Sequence, residues 1–126
     1  MEDEILPNLF LGSRDDAEKF IGCIICLSQE ILPLHLSDIW MPILRQTDHT
    51  PLEAPINQLD ETARVIDGNL GMGKRVLVHC VGGIDRSPLV IAWYIHKKQQ
   101  VTLTDAYKLV KEKHPQTNPH EDWVVR

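Results

Sequence analysis

The stretch Val78-His79-Cys80-Val81-Gly82-Gly83-Ile84-Asp85-Arg86-Ser87 decides how this chain is read. It is preceded by Arg75-Val76-Leu77-Val78-His79, a short run rich in β-branched residues that reads as a buried strand. It is followed from Ser87 to about Lys98 by a segment whose middle, Leu89-Val90-Ile91-Ala92-Trp93, is apolar nearly all round and reads as a buried helix. A loop between a strand and a helix points successive backbone N–H groups and a helix N-terminus at one spot, which makes an anion site. Gly82 and Gly83 let the backbone curl tightly. Five residues separate Cys80 from Arg86, enough to bend one turn around a phosphate group. Arg86 can grip two phosphate oxygens with its planar fork, which a lysine does less well. The same amides and helix N-terminus favour the thiolate form of Cys80, a nucleophile at neutral pH. The plain alternative is a buried cysteine in a glycine turn. The joint presence of His, Cys, Gly, Arg and Ser at this spacing, between these elements, outweighs it.

Outward from the loop, strands alternate with helices. Ile5 to Leu11, with Pro7 and Asn8 as turn formers, reads as two small strands around a turn. Ser13-Arg14-Asp15-Asp16 can cap a short helix running to about Phe20 and stopped by Gly22. Cys23 to Leu27 reads as a buried strand, residues 28–38 have no clear period, and Ile39 to Leu44 reads as a further strand. Ile56, Leu59, Ala63, Ile66 and Leu70 recur at helical steps, and Gly71 or Gly73 ends that helix. Thr102, with Asp105 three residues on, opens a last helix that runs to Lys113 before Pro115. The predicted fold class is α/β: a small mixed, mostly parallel sheet flanked by helices on both faces, in one domain over residues 1–126. A chain of this length buries roughly two thirds of its unfolded surface and needs no disulfide or metal staple.

Bulk properties exclude several classes. The net charge of −5 argues against a nucleic-acid binder, which needs a surplus of Lys and Arg. The longest apolar stretch, Phe20 to Leu27, is far too short for a membrane span, and the acidic start lacks the features of a signal peptide. Three cysteines are too few for a secreted disulfide scaffold, so a reducing cytoplasm is the expected location. Cys23 and Cys26 lie three apart in a strand and point to opposite faces, which reads as core packing rather than a redox or metal pair. The remaining histidines, His35, His49, His96, His114 and His120, show no metal-ligand spacing.

His79-Cys80, five residues, then Arg86-Ser87 resembles the signature of the protein tyrosine phosphatase superfamily. Leu6-Pro7-Asn8-Leu9-Phe10-Leu11-Gly12-Ser13 followed by Asp16-Ala17 is similar to the N-terminal motif of its dual-specificity branch. Ser87-Pro88 entering an apolar helix, and a later helix with Asp105-Ala106-Tyr107 that ends at His114-Pro115, resemble the same family, so the likeness covers nearly the whole chain. The resemblance implies that Cys80 is the nucleophile, that Arg86 clamps the phosphate, and that Ser87 hydrogen-bonds the thiolate and helps it leave. It implies that His79 braces the loop from outside, and that the amides of Val81, Gly82, Gly83, Ile84, Asp85 and Arg86 hold the phosphate oxygens. It implies no metal and no organic cofactor. The family's general acid sits roughly thirty residues before the cysteine. Asp48, 80 − 48 = 32 residues before Cys80 and on a polar loop, matches it.

The resemblance further implies a monomeric phosphoprotein phosphatase whose first substrate is phosphotyrosine, with phosphoserine and phosphothreonine open. Three features depart from the pattern. Asp85 stands where many relatives carry Gly or Ser, a position at which some lipid phosphatases and bacterial tyrosine phosphatases place their acid. Asn118-Pro119 reverses the family's common Pro-Asn order, which argues against a supporting role for Asn118. The chain stops at Arg126, so the family's last helix is expected to be short. Competing readings are a phosphoinositide or RNA 5′-triphosphate phosphatase, a phosphopeptide-binding module, and a rhodanese-like sulfur transferase. The first expects extra cations in the loop, the second loss of Cys, Arg or acid, and the third a shorter loop. An approach of Cys23 or Cys26 to Cys80 across neighbouring strands stays open.

Overall fold

A computed structural model describes residues 1–30, 32–44 and 52–126. Two short strands, β1 (Asp3–Leu6) and β2 (Leu9–Gly12), pair antiparallel around Asn8, whose φ of 68° supplies the left-handed turn. Helix α1 (Arg14–Lys19) comes directly after. Ser13 caps it reciprocally: its Oγ accepts from the Asp16 amide (3.4 Å) and Asp16 Oδ2 accepts from the Ser13 amide (2.9 Å). The helix ends at Lys19, and the chain turns back through Gly22 into β3 (Cys23–Cys26). A side chain on Gly22 would meet the Arg75 carbonyl oxygen at 2.5 Å, so only glycine fits there.

The expected strand over Ile39 to Leu44 is reduced to β4 (Ile39–Trp40). The Met41 amide still reaches the Cys26 carbonyl oxygen (2.8 Å), but Pro42 has no N–H to continue the ladder. Strand β5 (Ala54–Pro55) leads into helix α2 (Ile56–Gly71). Of the two glycines expected to end α2, Gly73 adopts the left-handed conformation (φ 77°) and donates to the Leu70 carbonyl oxygen at 3.0 Å. Strand β6 (Val76–His79) is buried at every position. Helix α3 (Arg86–Gln99) begins one residue earlier than expected and buries Ser87 to Ile95 without a break. Thr102 caps helix α4 (Leu103–Lys113), and a single 3₁₀ turn over Glu121–Trp123 leads into β7 (Val124–Val125).

The main sheet has the order β1-β2-β6-β3-β4, parallel except for β1 against β2. The pairing of β5 with β7 makes a second, two-stranded sheet that has no counterpart in the pattern expected from sequence. Alternation along the strands sorts the core into two layers. Ile24 and Leu77 pack with Ala17 and Phe20 under α1, while Ile25, Val76 and Val78 join Leu59, Ile66, Leu89, Ile91 and Val110 of α2, α3 and α4. The sheet is therefore mixed, mostly parallel and covered by helices on both faces, as expected. Among the described residues no helix is long and apolar enough to cross a membrane.

Strand register gathers three chain segments at one edge of the sheet. Gly12, His79 and Cys26 lie side by side across β2, β6 and β3. The three chains therefore leave the sheet together, and Ser13, Cys80 and the residues after Leu27 emerge as neighbours.

Candidate active site

Central strand β6 delivers Cys80 to the carboxyl end of the sheet, and α3 starts at Arg86. The intervening backbone folds into a tight loop because Gly83 takes φ 69°. A Cβ there would meet Gly12 O at 2.8 Å, Gly12 C at 2.9 Å and Ser13 N at 3.2 Å, so the loop presses on the β2–α1 corner where only glycine fits. At Gly82 a Cβ would touch only the Ile84 side chain, at 3.7 and 3.8 Å, so size does not require glycine there. The Arg14 amide donates to the Val81 carbonyl oxygen (3.3 Å), tying the loop's first turn to α1.

Cys80 lies at the floor of this loop and is 2% exposed, whereas Val81 and Ile84 on the rim are 47% and 40% exposed. Its Sγ is 3.3 Å from Ser87 Oγ, which is itself buried in the first turn of α3. His79 is fully buried beneath the loop. Its Nδ1 points at the Cys80 carbonyl oxygen (3.4 Å), and burial pushes its pKa down. Burial pushes the thiols of Cys23 and Cys26 up, and all three cysteines are free.

Arg86 and Glu30 form a two-pronged ion pair. Arg86 Nη1 donates to Glu30 Oε2 at 2.9 Å, and Nη2 donates to Oε1. The Glu30 contact raises the Arg86 pKa, and the guanidinium holds the Glu30 carboxyl below its ordinary range. The pair fixes one end of the fork and leaves the edge that carries Nε for another anion.

The far side of the loop is fastened to the segment after α4. His114, 2% exposed, donates from Nε2 to the Gly83 carbonyl oxygen (2.6 Å), and its Nδ1 meets Asp3 Oδ2 (2.6 Å). The Asn118 amide donates to the Ile84 carbonyl oxygen (2.9 Å), and its side chain donates to Asp85 Oδ1 (3.2 Å). The same Asp85 oxygen accepts from His120 Nε2 at 2.7 Å. Asn118 therefore does support the loop, against the expectation drawn from its reversed order with Pro119, because both its backbone and its side chain face the loop.

The structure thus brings together Cys80, Val81 to Arg86, Ser87 and His79. Asp48 lies outside the described residues. Glu30, His114 and His120 join the site without having been singled out from the sequence. The only signal for His114 is its place before Pro115 at a helix end, and Glu30 falls in the stretch without period.

The family model for "Dual specificity phosphatase, catalytic domain" matches residues 16–125. The chain belongs to the dual specificity phosphatase family. Among curated relatives of this dual specificity phosphatase domain, human serine/threonine/tyrosine-interacting protein is 32% identical over 134 aligned positions, covering 96% of this chain and 60% of that protein. Human dual specificity protein phosphatase 5 is 33% identical over 128 positions, covering 93% of this chain and 32% of that protein. The chain thus spans about 60% or less of the length of these relatives. The crystal structure of human tyrosine phosphatase-like serine/threonine/tyrosine-interacting protein superposes with a TM-score of 0.79 at 28% identity, covering 97% of this chain and 89% of that one. A crystal structure of PTPMT1 in complex with PI(5)P superposes with a TM-score of 0.76 at 15% identity, covering 93% and 85%, and speaks for the fold alone.

Proposed function

We propose that this domain is a cysteine-dependent protein phosphatase that hydrolyses phosphotyrosine, and phosphoserine or phosphothreonine more slowly, through a phosphocysteine intermediate at Cys80. The observation that carries the reading is a buried sulfur at the floor of the β6–α3 loop, 3.3 Å from Ser87 Oγ, with Arg86 opening the helix that follows.

In the first step the Cys80 thiolate attacks phosphorus, a sulfur–phosphorus bond forms, and the ester oxygen leaves with a proton from Asp48. In the second step water attacks the phosphocysteine, Asp48 takes its proton, and inorganic phosphate departs as the thiolate is restored. Ser87 Oγ donates to that thiolate. The loop amides and the free edge of Arg86 hold the non-bridging oxygens through both steps. Asp48 is the acid of choice on its spacing from Cys80. Asp85, the competing carboxylate, already has Oδ1 occupied by His120 and Asn118. The domain acts as a monomer in a reducing compartment.

The rim supports an aromatic ester. Val81 and Ile84 offer apolar surface beside the loop, and no Lys or further Arg stands between Cys80 and Arg86 to meet a second phosphate. A binding module is the second reading, favoured by the relatives named as interacting and phosphatase-like. The retained Cys80 and Arg86 favour hydrolysis over it.

Steady-state assays on phosphotyrosine peptide, phosphoserine peptide and a polyphosphoinositide test this. The highest kcat/KM is expected on phosphotyrosine; comparable values on the phosphoinositide contradict the substrate assignment. Asp48→Asn should lower kcat on phosphotyrosine by roughly 10²–10⁴ and much less on an activated aryl phosphate. The same leaving-group pattern in Asp85→Asn, with Asp48→Asn near wild type, assigns the acid to Asp85 instead.

A further inference from the structure

The loop proposed to cradle phosphate contains one carboxylate, Asp85, directly before the clamp Arg86. A negative charge there opposes a dianion in the loop. The structure gives this carboxylate two partners outside the loop. Asp85 Oδ1 accepts from His120 Nε2 (2.7 Å) and from Asn118 Nδ2 (3.2 Å). His120 is itself held firmly. Its ring stacks on Trp123 with centroids 3.5 Å apart and planes 10° off parallel, and its amide donates to Tyr107 Oη at 3.2 Å. Tyr107 is a buried residue of α4, so the position of His120 is fixed from the core outward.

We infer that His120 is a positioning residue for phosphate binding: it holds the Asp85 carboxylate on the C-terminal segment, so that Arg86 and the loop amides are left to the substrate. The inference rests on the reading of the loop as a phosphate cradle. The loop backbone has separate anchors, His114 on Gly83 and the Asn118 amide on Ile84, so removing the imidazole leaves Asp85 with Asn118 Nδ2 alone while those anchors remain.

Tungstate, a tetrahedral dianion that needs no turnover, is the probe. Its Kd is measured by isothermal titration calorimetry for the wild-type chain, His120→Ala, Asp85→Asn and the double variant. His120→Ala should bind about tenfold more weakly, the size of effect expected for an uncovered like charge at close range. Asp85→Asn should bind at least as tightly as wild type, and the double variant should match Asp85→Asn. With an ester substrate the His120→Ala defect should fall on KM rather than kcat. If His120→Ala lowers the melting temperature below that of the assay, His120→Gln, which keeps an N–H at similar reach, replaces it. It should show a smaller loss, about threefold, erased by Asp85→Asn. Unchanged affinity on losing the imidazole overturns the inference. So does a double variant as weak as the single one, because the loss would then come from loop shape and not from the Asp85 charge. A chain that shows the predicted tungstate pattern but cleaves no ester refutes the hydrolase reading and leaves this inference in place; absence of tungstate binding by the wild-type chain refutes both.

Discussion

Glu30 lies fifty-six residues before Arg86 in sequence and holds both terminal nitrogens of its guanidinium. β3 and β6 are adjacent and parallel, with Cys26 level with His79, so the turn after β3 arrives beside the loop after β6. If Arg86 is the phosphate clamp proposed above, Glu30 braces it by taking the fork's end and fixing the plane of its other edge. Glu30→Ala should lower kcat/KM on phosphotyrosine peptide by about three- to tenfold, a modest loss because the carboxylate is half-exposed. Glu30→Gln, which keeps an acceptor, should fall between. Steady-state kinetics of the three proteins check this, and equal kinetics for Glu30→Ala and wild type would show that the clamp needs no support.

The two loop glycines should differ sharply in stability assays. Gly83→Ala forces a left-handed alanine against the backbone of Gly12 and Ser13 and should cost roughly 2–4 kcal/mol. Gly82 has neither a positive φ nor a close backbone neighbour, so Gly82→Ala should cost under about 1 kcal/mol. Urea denaturation of both variants decides it; equal costs would mean that the loop does not press on the β2–α1 corner.

His79 carries a pH signature. Burial depresses its folded-state pKa below the ordinary 6.5, so the unfolded chain binds its proton first as pH falls. Its contribution to stability is fully present above pH 6.5 and is lost as pH drops through the lower folded value. Glu30, whose pKa is lowered from 4.5 chiefly by the Arg86 contact, adds a loss of the same sign further down. The melting temperature should therefore fall from pH 7 towards pH 5, and the slope should be shallower in His79→Gln. An identical slope in the two proteins would show that His79 is not buried neutral.

Much of this architecture is legible in the sequence where the signal is local. The run Val76 to His79 and the all-round apolar middle of α3 declare themselves because both are buried on every side. The Cys80–Arg86 spacing declares the loop. The strand after Ile39 is overread because Pro42 looks harmless in an apolar stretch until one asks where its missing N–H would go. Strands β5 and β7, two residues each, have no periodicity to read. The supports of the loop are the least legible part. Glu30, His114 and His120 meet their loop partners across separations of 56, 31 and 35 residues, so only the register of the folded sheet and the path after α4 bring them there.

The most direct test of the central claim is whether Cys80 carries phosphate during turnover. The wild-type chain is mixed with an activated aryl phosphate, quenched in acid within the first turnovers and digested for mass spectrometry. The expected result is a phosphoryl group on the peptide containing Cys80, absent from Cys80→Ser, which should keep less than about a percent of activity. Steady turnover by Cys80→Ser, or a phosphoryl group found on another residue, would contradict it.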